Sequence, residues 1–308
     1  MERTNTADTT SKTVQSEATI STRERHAASF QDATGPIDYR FTNDYIFKRL
    51  LEKNEDVLRE LIRTLLHLKE GEITHLNILN PIMPGDTISE RGIVLDVNVE
   101  INHSSRIDLE MQVVNKNNWP ERSLYYACRN YLNLVRNEDY DRVAPSWQIG
   151  FLDYTLFETR PSFYSTYKLM DTNDHFLYTD KFSIGVVDLT RIDLATDVDR
   201  AYNIDKWAKL FKAKTWEDIK MLAKQDVFIN KAGETYFEIT ADEHERQLAE
   251  AREDALRQER GQQRRLNEVL SDLARSRKEL AQSRQDLAEK DQRIAALEAQ
   301  IAVLTKSS

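Results

Sequence analysis

Between Ile93 and Ile101, apolar residues take every odd position (Ile93, Leu95, Val97, Val99, Ile101), while Asp96, Asn98 and Glu100 take the even ones. Successive side chains of a strand point to opposite faces, so a period of two specifies a half-buried β-strand with one apolar and one polar side. Asn102, His103, Ser104 and Ser105 supply turn formers. The alternation then resumes, with Ile107, Leu109, Met111 and Val113 set against Asp108, Glu110 and Gln112. The pattern predicts an antiparallel hairpin with its polar faces aligned, carrying Asp96 on one strand and Glu110 on the next. An ionised carboxylate on an apolar element costs several kcal/mol unless it is paired or holds a metal. Two readings follow. Asp96 and Glu110 share one hard cation such as Mg²⁺, which takes oxygen ligands at about 2.0–2.1 Å from carboxylates, water and substrate phosphate; or they are edge-strand carboxylates left in water or salt-bridged to Arg91 or Arg106.

Residues 1–36 are rich in Thr, Ser, Ala and charge without apolar periodicity, and are expected to form a disordered tail. From Ile37 to Leu68 an amphipathic helical pattern built on Phe47, Leu50, Leu51, Val57, Leu58, Leu61, Ile62 and Leu65 breaks near Lys53 and Asn54. Asn43 and Asp44 fall at the start of that pattern as cap and first-turn residues. Ile73–Ile82, Trp147–Leu156 and Phe182–Leu189 read as further strands, and Ala201–Ala223 as helices packing back on the core. Pro120 to Arg136 reads as a helix with Leu124, Cys128, Tyr131 and Val135 as its core stripe. Its other face carries Arg122, Tyr126, Arg129 and Arg136, placed either along a nucleic-acid backbone or in water beside Glu121, Glu138 and Asp139.

The last third repeats every seven residues: Leu266, Leu273, Leu280, Leu287, Ile294 and Ile301. This is a coiled-coil heptad, and with that row as position a, position d holds Val269, Ser276, Ser283, Lys290, Leu297 and Leu304. A seam that is apolar at both ends and polar in the middle points to conditional pairing, most simply as a parallel homodimer. A single charged helix supported by its own i, i+4 pairs is the other reading.

At −9, the net charge requires any nucleic-acid surface to be a local basic patch, because affinity for nucleic acid is largely phosphate neutralisation. The lone Cys128 excludes an intrachain disulfide and a cysteine-rich zinc site, and the six histidines show no ligand spacing. With no secretory segment and no membrane-length apolar run, a cytoplasmic protein is expected.

Taken in order, Thr42 to Lys48, Leu95-Asp96-Val97, Leu109-Glu110-Met111-Gln112, Arg122 with Tyr125 and Tyr126, and Tyr140 through Trp147 to Asp153 resemble the motifs of the PD-(D/E)xK nuclease superfamily. Within it, the chain is similar to the Rpn-type recombination-promoting nucleases, or PD-(D/E)xK family transposases, from about Phe41 to about Gly233. The resemblance implies a restriction-endonuclease-like α/β fold: a mixed central sheet flanked by helices over residues 37–240, followed here by a coiled-coil helix over 241–308. It implies a metal-dependent DNA endonuclease, with Asp96 and Glu110 holding Mg²⁺ or Mn²⁺ and Gln112 orienting the attacking water. Asp44 and Lys48 become helper residues, and Arg122, Tyr126 and Arg129 become contacts to the DNA backbone. The superfamily's Lys, two residues after the Glu, is here Gln112, which carries no charge. Its loss also admits a weakly active or inactive nuclease-fold scaffold that binds DNA or protein through the coil.

Overall fold

The computed structural model describes residues 28–79, 82–83, 93–94, 97–132 and 139–306. Asn43 accepts hydrogen bonds from the Tyr45 and Ile46 amides, which starts helix α1 (Asp44–Lys53). Asn54 ends α1 and caps α2 (Glu55–Leu65) through the Val57 amide, so the break falls where the sequence places it. After β1 (Leu76–Ile78), β2 (Ile82–Met83) and β3 (Ile93–Val94) pair with each other as a separate ribbon.

The predicted hairpin is β4 (Val97–Ile101) and β5 (Ser105–Gln112), antiparallel, with Asn98 opposite Asp108 and Val97 opposite Leu109. Asn102 and His103 turn it with φ of 54° and 53°, the left-handed region that matches strand twist in tight hairpins. His103 stacks on His75 at 3.8 Å, so it serves the turn. Helix α3 (Trp119–Tyr131) crosses over to β6 (Ser146–Leu152), which lies parallel to β5; β7 (Tyr164–Lys168), which the sequence reading missed, and β8 (Phe182–Asp188) complete a mixed six-stranded sheet in the order β1-β4-β5-β6-β8-β7. Beyond α4 (Asp197–Ala201), helices α5 (Ile204–Phe211), α6 (Trp216–Ala223) and α7 (Val227–Ala241) return to the core, and α8 (Glu243–Lys306) leaves it.

The sheet has two chemically different faces. Leu109, Ile149 and Phe151 face α1 and α5, where Phe47, Phe151 and Phe211 meet edge-on or tilted at 5.1–5.5 Å. Asp108, Glu110, Gln148 and Gly150 alternate with these apolar residues, and Gly150 meets α3. A Cβ on Gly150 would come within 2.1 Å of the Trp119 ring, so glycine is what lets the start of α3 lie flat on β6.

Two expectations are corrected here. Leu124 and Cys128 are exposed, and the buried stripe of α3 is Trp119, Ser123, Ala127 and Asn130. The helix presents small and polar groups inward because it covers a polar stretch of sheet; Val135 and Arg136 lie outside the described residues. Residues 28–36 are packed, not a free tail. Phe30 is buried against Trp216 and Gly233, and Lys220 donates to the Gln31 and Ala33 carbonyls. Residues 1–27 lie outside the described part. No described helix is long and apolar enough to cross a membrane.

Candidate active site

Glu110, 2% exposed, is the centre of the polar face. Arg122 reaches it from the first turns of α3: its Nε donates to Glu110 Oε1 at 2.8 Å and its Nη2 donates to the same oxygen. Gln112 Nε2 donates to Oε1 as well, at 2.8 Å. Gln148 Nε2 lies between two carboxylates, donating to Asp108 Oδ2 at 2.7 Å and to Glu110 Oε2 at 3.4 Å. Glu110 Oε1 is thus crowded by donors, while Oε2 receives one long hydrogen bond among the described residues.

Burial pushes the Glu110 carboxyl above its usual range; Arg122 and Gln112 oppose that rise, and the nearby charge of Asp44 adds to it. The same burial, with Glu110 beside it, pushes the Tyr154 hydroxyl up to about 12, so it remains a protonated donor at neutral pH.

The sequence-predicted residues meet unequal fates. Glu110 and Gln112 converge. Asp44 is close enough to be felt by Glu110, but both its oxygens accept from Arg252 Nε of α8, at 2.6 and 2.9 Å. Lys48 lies one turn from Glu52 on α1, at 3.8 Å. Arg122 turns onto Glu110 with its guanidinium 4.7 Å over the Tyr126 ring, and its side chain remains about one-third exposed. Arg129 is half-buried on α3. Asp96 lies outside the described residues; it directly precedes Val97, whose partner Leu109 precedes Glu110.

Gln148 and Tyr154 were not singled out as functional from the sequence. A glutamine amid the apolar run from Trp147 to Leu152 was the available signal. Gln148 is fully buried, and its Oε1 has no hydrogen-bond partner among the described residues. The Glu110 carboxylate, and the Asp44 carboxylate whose charge it feels, are oxygen donors, the type that a hard divalent cation takes rather than a soft one. The described residues contain no group of three or more His, Cys, Asp or Glu side chains placed to hold a metal ion.

Residues 41–264 match the family model described as PD-(D/E)XK nuclease family transposase. Among curated proteins and among solved structures, nothing matches the chain.

Proposed function

Because the chain belongs to the PD-(D/E)XK nuclease family of transposases, we propose that it is a metal-dependent DNA endonuclease of the recombination-promoting type that hydrolyses phosphodiester bonds at Glu110 and Asp96. The observation that carries this reading is a buried carboxylate at the family's Glu position, held by Arg122, Gln112 and Gln148. Glu110 and Asp96 would hold Mg²⁺ or Mn²⁺, with Asp44 as an outer helper once it is released from Arg252. When bound, such an ion polarises the scissile phosphate and lowers the pKa of a coordinated water.

The chain's own residues do the rest. Arg122 supplies, from α3, the positive charge that Gln112 lacks at the superfamily's Lys position, and its planar fork suits the phosphate oxygens on which charge builds. The Gln112 amide orients the attacking water, Gln148 fixes the Glu110 rotamer, and the protonated Tyr154 hydroxyl offers a donor beside them. In hydrolysis the water oxygen bonds to phosphorus, the bridging P–O bond breaks, and the leaving oxygen takes a proton. Arg122, Tyr126 and Arg129 would meet the DNA backbone only where Arg122 shares its charge with Glu110. Two such sites, brought together by pairing of α8, would cut both strands. A reducing, cytoplasmic setting fits the single free thiol of Cys128.

The uncharged Gln112 favours a second reading, an inactive scaffold that binds DNA or protein through its coil. Thermal unfolding with added Mg²⁺ or Mn²⁺ separates the two readings. A ligand that binds only the folded state stabilises it by about 2.7 kcal/mol at a hundredfold excess over Kd. The nuclease reading predicts a rise in Tm that Asp96→Ala and Glu110→Gln each abolish; an unchanged Tm in the parent chain favours the scaffold.

A further inference from the structure

One seven-residue row runs the length of α8: Glu245, Arg252, Glu259, Leu266, Leu273, Leu280, Leu287 and Ile294. Its first three members are ionic, and each meets the chain's own domain. Glu245 accepts from Arg49 and Tyr45, Arg252 donates to Asp44, and Glu259 pairs with Lys116 at 2.9 Å. Beside them Ala249 and Leu256 are buried. From Leu266 the row becomes apolar, and its members are 46–56% exposed, as are Val269 at 63% and Leu297 at 52%. The chemistry of the row therefore changes where the helix leaves the domain, and no described residue covers the apolar part. An apolar stripe sustained over four heptads is an interface pattern.

The charges beside the stripe identify what covers it. With Leu266 at position a, the g positions hold Asp272, Glu279, Asp286 and Arg293, and the e positions hold Arg277, Arg284, Asp291 and Glu298. In a parallel, in-register pair each g residue faces the partner's e residue five positions on. Asp272 then meets the partner's Arg277, Glu279 the partner's Arg284, and Arg293 the partner's Glu298. The one like-charged pairing, Asp286 with the partner's Asp291, flanks Lys290 at position d, whose ammonium lies among those carboxylates. A shift of one heptad leaves fewer opposite-charge pairs, because on one side it sets Glu279 against the partner's Asp291 and Asp286 against the partner's Glu298. Full antiparallel overlap keeps Arg277 with Asp291 and Glu279 with Arg293 but sets Arg284 and Asp286 each onto its own copy, leaving fewer opposite-charge pairs than the parallel register.

We propose that α8 pairs with α8 of a second copy of this chain as a parallel, in-register coiled coil, with the g and e charges and the Lys290–Asp286–Asp291 cluster fixing direction and register. This deepens the pairing invoked under the nuclease reading. A parallel coil puts both domains, each with its Glu110, at the same end of the assembly.

The test uses the full chain carrying Cys128→Ser, with Ser276→Cys or Leu297→Cys added singly at position d. A dimer mass in sedimentation equilibrium, with each cysteine cross-linking to its own copy on mild oxidation, is the expected result. A monomer mass, a higher oligomer, or a Ser276→Cys chain that links only to an Ile294→Cys chain overturns the proposal. In addition, the double variant Asp272→Arg/Glu279→Arg is expected to self-associate at least tenfold more weakly and to recover on mixing with Arg277→Glu/Arg284→Glu. Failure of that mixture to pair contradicts the register. All readouts are masses and cross-links, so a paired but inactive chain would sink the nuclease reading and leave this one standing.

Discussion

Glu110 and the leucine row of α8 are each in the medium they suit least: a carboxylate under a helix, and a stripe of leucines in water. The chain answers the first itself, with Arg122, Gln112 and Gln148 all donating to the same carboxylate. It leaves the second without an internal answer. Physics explains the difference. A buried unpaired charge penalises the fold wherever the chain is, so its partner must come from the same molecule. An exposed leucine row costs the monomer little and gains when a second row arrives. Local rules broken in a folded chain are where function is to be sought, and these two departures are where the proposed chemistry and the proposed assembly are placed.

The most severe way to break the buried side of this comparison is Arg122→Met. Removing one partner of a buried pair should destabilise by about 3 kcal/mol at pH 7, read by urea unfolding. The sign with pH follows from the raised Glu110 carboxyl. A group that binds its proton more tightly when folded stabilises the fold below its unfolded pKa, and that contribution is lost as pH rises through the folded value. The variant's deficit should therefore shrink as pH is lowered toward 5 and widen above it. A deficit independent of pH would show that Arg122 acts through packing. Adding Glu110→Leu to Arg122→Met should restore most of the stability, since replacing both partners by apolar groups removes the orphaned charge.

Gly150→Ala tests the floor beneath the site. The new methyl group would overlap the Trp119 ring, and overpacking of this kind costs about 1–3 kcal/mol; a melting temperature equal to that of the parent would mean that α3 shifts freely. Gln148→Leu keeps the volume and removes the donor shared by Asp108 and Glu110, with an expected loss of about 1–2 kcal/mol. That variant should also weaken Mn²⁺ binding in calorimetry, which a purely structural glutamine would leave untouched. The smallest effect belongs to the exposed side. Leu280→Ala should change the unfolding of the α/β domain by less than about 0.5 kcal/mol while lowering the dimer fraction in sedimentation. A large loss of domain stability would mean that the stripe is covered within the chain.

The hairpin was legible because alternation over Val97–Ile101 and Ser105–Gln112 is a local signal, and the α1–α2 break because Asn54 is a cap. The α3 stripe was misread for a physical reason. Apolar periodicity finds the face that meets an apolar core, whereas α3 meets Gly150 and a polar layer and so buries Ser123 and Asn130 while exposing Leu124. Asp44 and Arg252 lie 208 residues apart, and Gln148 meets Asp108 only through the parallel register of β5 and β6; no local pattern reports either contact. Phe30, one aromatic in a polar stretch, was too sparse a pattern to mark residues 28–36 as packed.

Cleavage of supercoiled plasmid with Mg²⁺ or Mn²⁺ tests the central claim most directly, comparing the parent chain with Glu110→Gln and Asp96→Ala after circular dichroism confirms that each is folded. Metal-dependent nicking by the parent chain, lost in both variants, is the expected result. Nicking that survives Glu110→Gln, or no nicking by the folded, metal-loaded parent, would contradict it.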